Sequence, residues 1–256
     1  MIKATLKDHM GSDISVVNAA RVSFGKTSHP VAWMEYEYED GSRSGDLIAV
    51  LDHRDQKLVR YLAKHNHISP FGHAFASFHV KAPIFVARQL VKHSFLRWNE
   101  VSRRYVDDEP EFYVPDVWRG RSEDKKQGSG EHTIDLCSIS DVMTLNEETY
   151  ESMKEKHPTK EYLFSWESGL YNDLDDVLFR YNEMIKLGVA PEQARMVLPQ
   201  STMTEWWWSG SLDAFARMCK LRCATDTQYE TRIVADQISR VMGDLFPVSW
   251  GALMDD

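Results

Sequence analysis

The chain has 256 residues, 43% of them hydrophobic and 11% aromatic, which is enough to bury a substantial core and too apolar for a disordered tail. Its 30 Lys and Arg stand against 39 Asp and Glu, and the net charge of −9 argues against broad nucleic-acid binding. No apolar run reaches the ~18 residues that a membrane span needs and no signal-peptide stretch opens the chain. The sparse cysteines (Cys137, Cys219, Cys223) make no disulfide framework, so a cytoplasmic setting with no membrane attachment is expected.

In chain order, Ile2 to Leu6 predicts an opening strand, and Ser12 predicts the N-cap of a helix over Asp13–Val22. Residues 31–46, where Glu35, Glu37 and Glu39 alternate with Met34, Tyr36 and Tyr38, read as a hairpin or loop. A helix is expected over Asp55–Lys64 with Leu58, Tyr61 and Leu62 turned inward, then a strand over Ala74–Val80. Pro83 fits the first turn of a helix continuing through Val91. Residues 119–145 read as an exposed excursion. Helices are expected over 146–156, over 169–187 with Gly188 as terminator, and over Pro191–Leu198. A strand over Thr202–Trp208 precedes a helix over Leu212–Arg222 capped by Ser211, and a last helix over Thr227–Leu245 carries Ile233, Ile238, Val241 and Leu245 near one stripe. Trp206, Trp207 and Trp208 read first as core packing, with alternation burying two faces. Helices mixed with a few strands favour an α+β fold with a small central sheet flanked by helices over a doubly wound one.

The most unusual stretch is Arg88 to Tyr105. Arg88, Lys92, Arg97, Arg103 and Arg104 against Glu100 give it +4 and leave −13 for the rest of the chain. Guanidinium forks suit phosphate, while Asn99 and Glu100 suit hydroxyls or ring N–H groups. The Gly-rich signature of a Rossmann site and that of a P-loop are both missing, so a bound dinucleotide would rest on side chains and helix ends. The histidines His65, His67, His73, His79 and His93 form no recognisable ligand pattern. Cys219 and Cys223 share a helix face without further ligands, so no metal is expected.

Lys92-His93-Ser94, seven residues, then Ser102 resembles the Arg-His-Arg, seven residues, Ser signature of the flavin-dependent thymidylate synthases. Further blocks are similar in family order: Asn18 to Ser23, His67 to His73, Lys81 to Gln89, Glu192 to Pro199, and Leu221-Arg222 with Gln228 beyond. These blocks run from about residue 12 to 248 within a single domain over 1–256, with 26–50 and 119–165 as insertions.

The resemblance implies a homotetramer of α+β subunits with shared active sites, converting dUMP to dTMP. Methylenetetrahydrofolate gives the carbon, FAD reduced by NADPH gives hydride, and no cysteine attacks the ring. It assigns Gln89, Glu100, Ser102, Arg103, Arg104, Arg195 and Arg222 to dUMP, with Arg222 also catalytic through polarising the uracil for attack at C5. Ser23, His67, Ser69, Lys92, His93, Ser94, Arg97, Ser211 and Arg217 fall to the flavin or folate. Lys92 replaces an arginine and loses its fork, and Ser94 removes a cation altogether; Gly72 and Ser211 also depart from common family residues. Arg97, placed one helical turn beyond Ser94, is expected to restore that charge, with Arg103 adding more. Two other readings stay open at this level: a pyrimidine-nucleotide hydroxymethylase on the same scaffold and a non-catalytic nucleotide-binding protein.

Overall fold

A computed structural model describes residues 1–37, 43–122, 129–134 and 166–255. The chain divides into two compact units, one of Met1–Val101 with Met203–Asp256, the other of Ser102–Thr202.

The first unit is built on a four-stranded antiparallel sheet in the order β1-β4-β8-β5, from β1 (Lys3–Met10), β4 (Phe75–Pro83), β5 (Leu96–Glu100) and β8 (Met203–Ser211). The predicted strands at both ends of the chain are present and longer than expected. Strand alternation sets two faces. Phe78, Val80, Trp206 and Trp208 are buried, whereas Trp207 is 49% exposed, so only two of the three tryptophans are core. Trp98 of β5 stacks on Trp206 at 4.4 Å between ring centroids, and Phe215 meets both Phe78 and Trp208 edge-on.

Helices cover the buried face. Ahead of them in the chain, α1 (Asp13–Arg21) ends one residue short of the predicted Val22 and runs into a 3-10 turn over Val22–Phe24. Ser12 is its N-cap, and the Ser12 N–H donates to the Ser15 hydroxyl at 3.0 Å. A two-stranded hairpin follows, β2 (Ala32–Glu37) and β3 (Arg43–Val50), the hairpin option for 31–46. Helix α2 (His53–Lys64) starts two residues before the expected Asp55, because the Asp52 carboxylate accepts the Asp55 N–H at 2.8 Å. Its inward residues are Val59 and Leu62; Tyr61 is 53% exposed, against the expectation. Asn66, with φ of 56°, ends that helix in the left-handed conformation.

Pro83 is the extended N-cap of α3 (Ile84–Leu90), one position earlier than expected. β8 feeds directly into α6 (Leu212–Arg222) through Ser211 at the N-cap, as the sequence predicts. Gln228 caps α7 (Tyr229–Leu245), whose buried stripe is Val234, Ala235, Ile238, Met242 and Leu245. Ile238 and Leu245 are as expected, while Ile233 and Val241 sit beside the stripe. The sequence reading missed α8 (Pro247–Met254). Asp13 holds it: the buried carboxylate accepts the Val248 and Ser249 N–H groups at 2.9 Å each.

The second unit carries the hairpin β6 (Trp118–Arg121) and β7 (Ser129–Ile134), then α4 (Trp166–Lys186) and the short α5 (Pro191–Ala194). Gly188, at φ 81°, lies just past α4 as predicted, and the expected helix over Pro191–Leu198 is α5 followed by a 3-10 turn over Arg195–Val197. The helix expected over 146–156 and Cys137 lie outside the described residues.

Candidate active site

The end of α3, the turn after it, the end of α6 and the cap of α7 meet in the first unit. Gln89 stands in the last turn of α3, and its side-chain amide Nε2 donates to the side-chain Oε1 of Gln228 at 2.5 Å. Arg222, the last residue of α6, donates from Nε to His93 Nε2 at 3.0 Å and from Nη2 to the Gln89 main-chain oxygen at 3.4 Å. Three residues expected at the site, Gln89, His93 and Arg222, are therefore brought together, with Gln228 as a fourth member.

His93 Nε2 accepts a hydrogen bond here, which requires the neutral ring with its proton on Nδ1. Burial, and secondarily the Arg222 charge, pull the His93 pKa down to about 4, which keeps the ring neutral. Burial also lowers the Arg222 guanidinium from its ordinary value. A half-buried, doubly anchored guanidinium is a fixed positive charge of the kind that stabilises negative charge developing on a bound ring.

Glu100 ends β5, which the sequence reading did not recognise as a strand. One carboxylate oxygen accepts from Trp98 Nε1 at 3.0 Å and the other from the Thr204 hydroxyl at 2.8 Å. Arg97 lies on that same strand opposite Ser209, not one helical turn beyond Ser94. The chain leaves α3 at Leu90 and reverses at Phe95 before entering β5, so helical spacing does not apply between Ser94 and Arg97. The geometric premise for charge replacement by Arg97 is thereby removed.

The remaining residues expected at the flavin or folate are all on the first unit. Ser23, in the turn after α1, Ser69, at the start of a 3-10 turn over Ser69–His73, and His67, Lys92 and Ser94 are exposed. Ser211 donates to the Asp213 carboxylate at 2.6 Å, and the other oxygen of that carboxylate takes Arg217 Nη2. Arg217 and Asp213 line a cleft of about 750 Å³ with Arg60, Lys64, Asn66 and Lys220. In the second unit, Arg104 Nε donates to the Ser102 hydroxyl at 3.2 Å, whereas the Arg103 guanidinium is turned to the Asp108 carbonyl at 2.7 Å. Arg195 is exposed and donates to the Glu192 carbonyl at 3.2 Å.

Gln228, Thr204 and Asp213 were given no role by sequence reasoning. Gln228 and Thr204 each work through a partner on another element, Gln89 and Glu100, and Asp213 through a helical i, i+4 step to Arg217; only that last spacing was visible in the sequence. Among the described residues, no group of three or more His, Cys, Asp or Glu is arranged to hold a metal ion, and no helix is long and apolar enough to cross a membrane.

The described residues thus form an α+β fold with an anchored arginine at a helix end, and the sequence carries neither a P-loop nor a Gly-rich phosphate turn. Residues 5–248 match the family model described as thymidylate synthase complementing protein, and the chain belongs to that family, the flavin-dependent thymidylate synthases. It is 32% identical over 247 residues to the flavin-dependent thymidylate synthase of Thermus thermophilus, covering 96% of this chain and 73% of that protein. The enzyme of the same name from Kosmotoga olearia is 32% identical over 251 residues, covering 98% of this chain and 89% of its own. A solved UMP/dUMP methylase from Streptomyces cacaoi, bound with 5-Br dUMP, superposes with a TM-score of 0.68 at 28% identity, over 98% of this chain and 94% of that one.

Proposed function

We propose that this chain methylates dUMP to dTMP, taking the carbon from methylenetetrahydrofolate, with FAD as cofactor and NADPH as reductant. The observation that carries the reading is the anchored guanidinium of Arg222, held by His93 Nε2 and the Gln89 carbonyl. Such a charge makes C5 of a uracil nucleophilic by stabilising the negative charge that builds on the ring, and no thiolate adduct is then needed. Cys219 suits no such adduct: it is fully buried, and burial pushes its thiol pKa well up.

In this reading Gln89 orients the base and Glu100, braced by Trp98 and Thr204, accepts from the sugar hydroxyl. Ser102, Arg103, Arg104 and Arg195 take the phosphate, with Arg103 leaving the Asp108 carbonyl to do so. The flavin, when bound, supplies hydride. The donor set suits a dinucleotide: a cleft of about 750 Å³ lined by Arg60, Lys64, Arg217 and Lys220 offers room and positive charge for a pyrophosphate. Ser211, Arg217, His67, Ser69, Ser23 and the Lys92-His93-Ser94 turn are the residues that would hold the flavin and folate.

Residues 1–256 are read as one working domain, supported by a family match that runs through both units. A homotetramer with shared sites and a cytoplasmic location complete the proposal, with neither nucleic acid nor membrane as partner. The test is the visible spectrum of the purified protein with FAD: flavin absorbance that NADPH bleaches, in a manner that depends on dUMP, is expected. Protein that binds dUMP but neither takes up FAD nor turns over would favour the non-catalytic reading, and a 5-hydroxymethyl product would displace methylation.

A further inference from the structure

Gln228 stands at the N-cap of α7, and its main-chain carbonyl accepts the Thr231 and Arg232 N–H groups at 3.0 Å each. Short polar side chains favour such a position because they fold back onto the first turn of the helix. The Gln228 side chain makes no cap of that kind and crosses instead to α3, where its Oε1 takes the Gln89 Nε2 at 2.5 Å. The loop before it is tied down: the Thr227 hydroxyl donates to the Leu221 carbonyl at 2.9 Å, and the Thr227 N–H to the Ala224 carbonyl at 3.0 Å. The backbone around Gln228 is therefore held from one side by α7 and from the other by the last turn of α6, which carries Arg222.

A side-chain amide has a donor end and an acceptor end, and half a turn exchanges the two. With Nε2 of Gln89 committed to Gln228, its Oε1 is the end left over, and among the described residues no donor reaches that oxygen. The Gln89 main chain is engaged as well, since its carbonyl accepts Arg222 Nη2 at 3.4 Å. An acceptor oxygen of set direction is thus carried by the same residue whose carbonyl holds the guanidinium read above as polarising the pyrimidine. At N3 a uracil bears a hydrogen and a cytosine a lone pair, so an acceptor facing N3 attracts the first and repels the second.

We propose that Gln228 is a positioning residue for base selection: by holding Nε2 of Gln89 it makes that amide offer Oε1 to the N3–H of the pyrimidine, so that uracil nucleotides bind in preference to cytosine nucleotides. The inference rests on the reading of Gln89 as a base contact, and adds to it what sets the direction of the amide and which competing nucleotides the site rejects. Without Gln228 the Gln89 amide turns freely, and its donor end then suits the bare N3 of cytosine as well as its acceptor end suits uracil. Both glutamines are half-buried, so an acceptor that faces a lone pair loses water without gaining a partner.

The experiment is calorimetric titration of dUMP and of dCMP into the full-length protein in the presence of FAD, for the parent, Gln228→Met, Gln228→Glu, Gln89→Met and the double variant Gln89→Met with Gln228→Met. The ratio of the dCMP to the dUMP dissociation constant should fall about tenfold in Gln228→Met, through weaker dUMP and tighter dCMP binding. It should stay within about threefold of the parent in Gln228→Glu, which keeps an acceptor for the Gln89 amide, and fall no further in the double variant than in Gln89→Met. A ratio that Gln228→Met leaves unchanged, including one in which both nucleotides weaken by the same factor as a purely structural role requires, overturns the proposal. So does a loss in Gln228→Glu as large as that in Gln228→Met, or a further fall in the double variant. A parent that binds the two nucleotides equally overturns base selection while leaving the nucleotide reading in place; a parent that binds neither overturns both.

Discussion

At the scale of single residues, the site depends on a guanidinium with no freedom to turn away. Arg222→Ala should lower kcat by ~10²–10³-fold, in the range found when one fixed donor to a developing charge is removed. Of its two acceptors, His93 Nε2 and the Gln89 carbonyl, the imidazole can take up a proton, which links stability to pH. The folded His93 value of about 4 lies below its ordinary 6.5, so across that interval the unfolded chain binds the extra proton. Stability from this group is complete above the ordinary value and declines as the pH falls towards the lower one. Urea midpoints measured across that interval should slope less in His93→Gln than in the parent; identical slopes would show that His93 is not the titrating group. Arg222, Gln89 and His93 were legible in the sequence as motif letters. Gln228 and Thr204 carried no local signal for their roles, because each acts on a side chain more than 100 residues away in the chain.

Among the elements, the legible ones had strong period or a plain cap. Helices α6 and α7, strand β4 and the left-handed stop at Gly188 were all readable in this way. β5 was not: Leu-Arg-Trp-Asn-Glu looks like the continuation of a basic helix, and its strand character comes from Trp98 stacking on Trp206 and from pairing with β8. α8 was equally silent, since Pro247 to Met254 lacks an amphipathic stripe and takes its cap from Asp13 at the other end of the chain. Asp13→Ala leaves two helix N–H groups without that acceptor, one of them in a buried segment, and should destabilise the first unit by ~2–4 kcal/mol. Thermal denaturation checks this. A midpoint equal to that of the parent would mean that α8 is held by its apolar face through Trp250 and Leu253 alone.

Taken as a whole molecule, the chain concentrates positive charge in one stretch of an otherwise acidic protein, and the structure divides that stretch: Arg88 to Val101 belongs to the first unit, Ser102 to Tyr105 to the second. Charge counting found the stretch but not the turn at Phe95 that separates helix from strand within it, which is why helical spacing misplaced Arg97. If the local positive charge attracts an anionic substrate, raising the ionic strength should raise the KM for dUMP more than it changes kcat; a KM insensitive to salt would argue against electrostatic attraction. The most direct measurement is the mass of the nucleotide formed from dUMP with methylenetetrahydrofolate and NADPH, for the FAD-loaded parent and Arg222→Ala side by side. The account predicts dTMP from the parent and a loss of product in the variant despite retained flavin; dTMP formed at equal rates by both would contradict ring activation by Arg222.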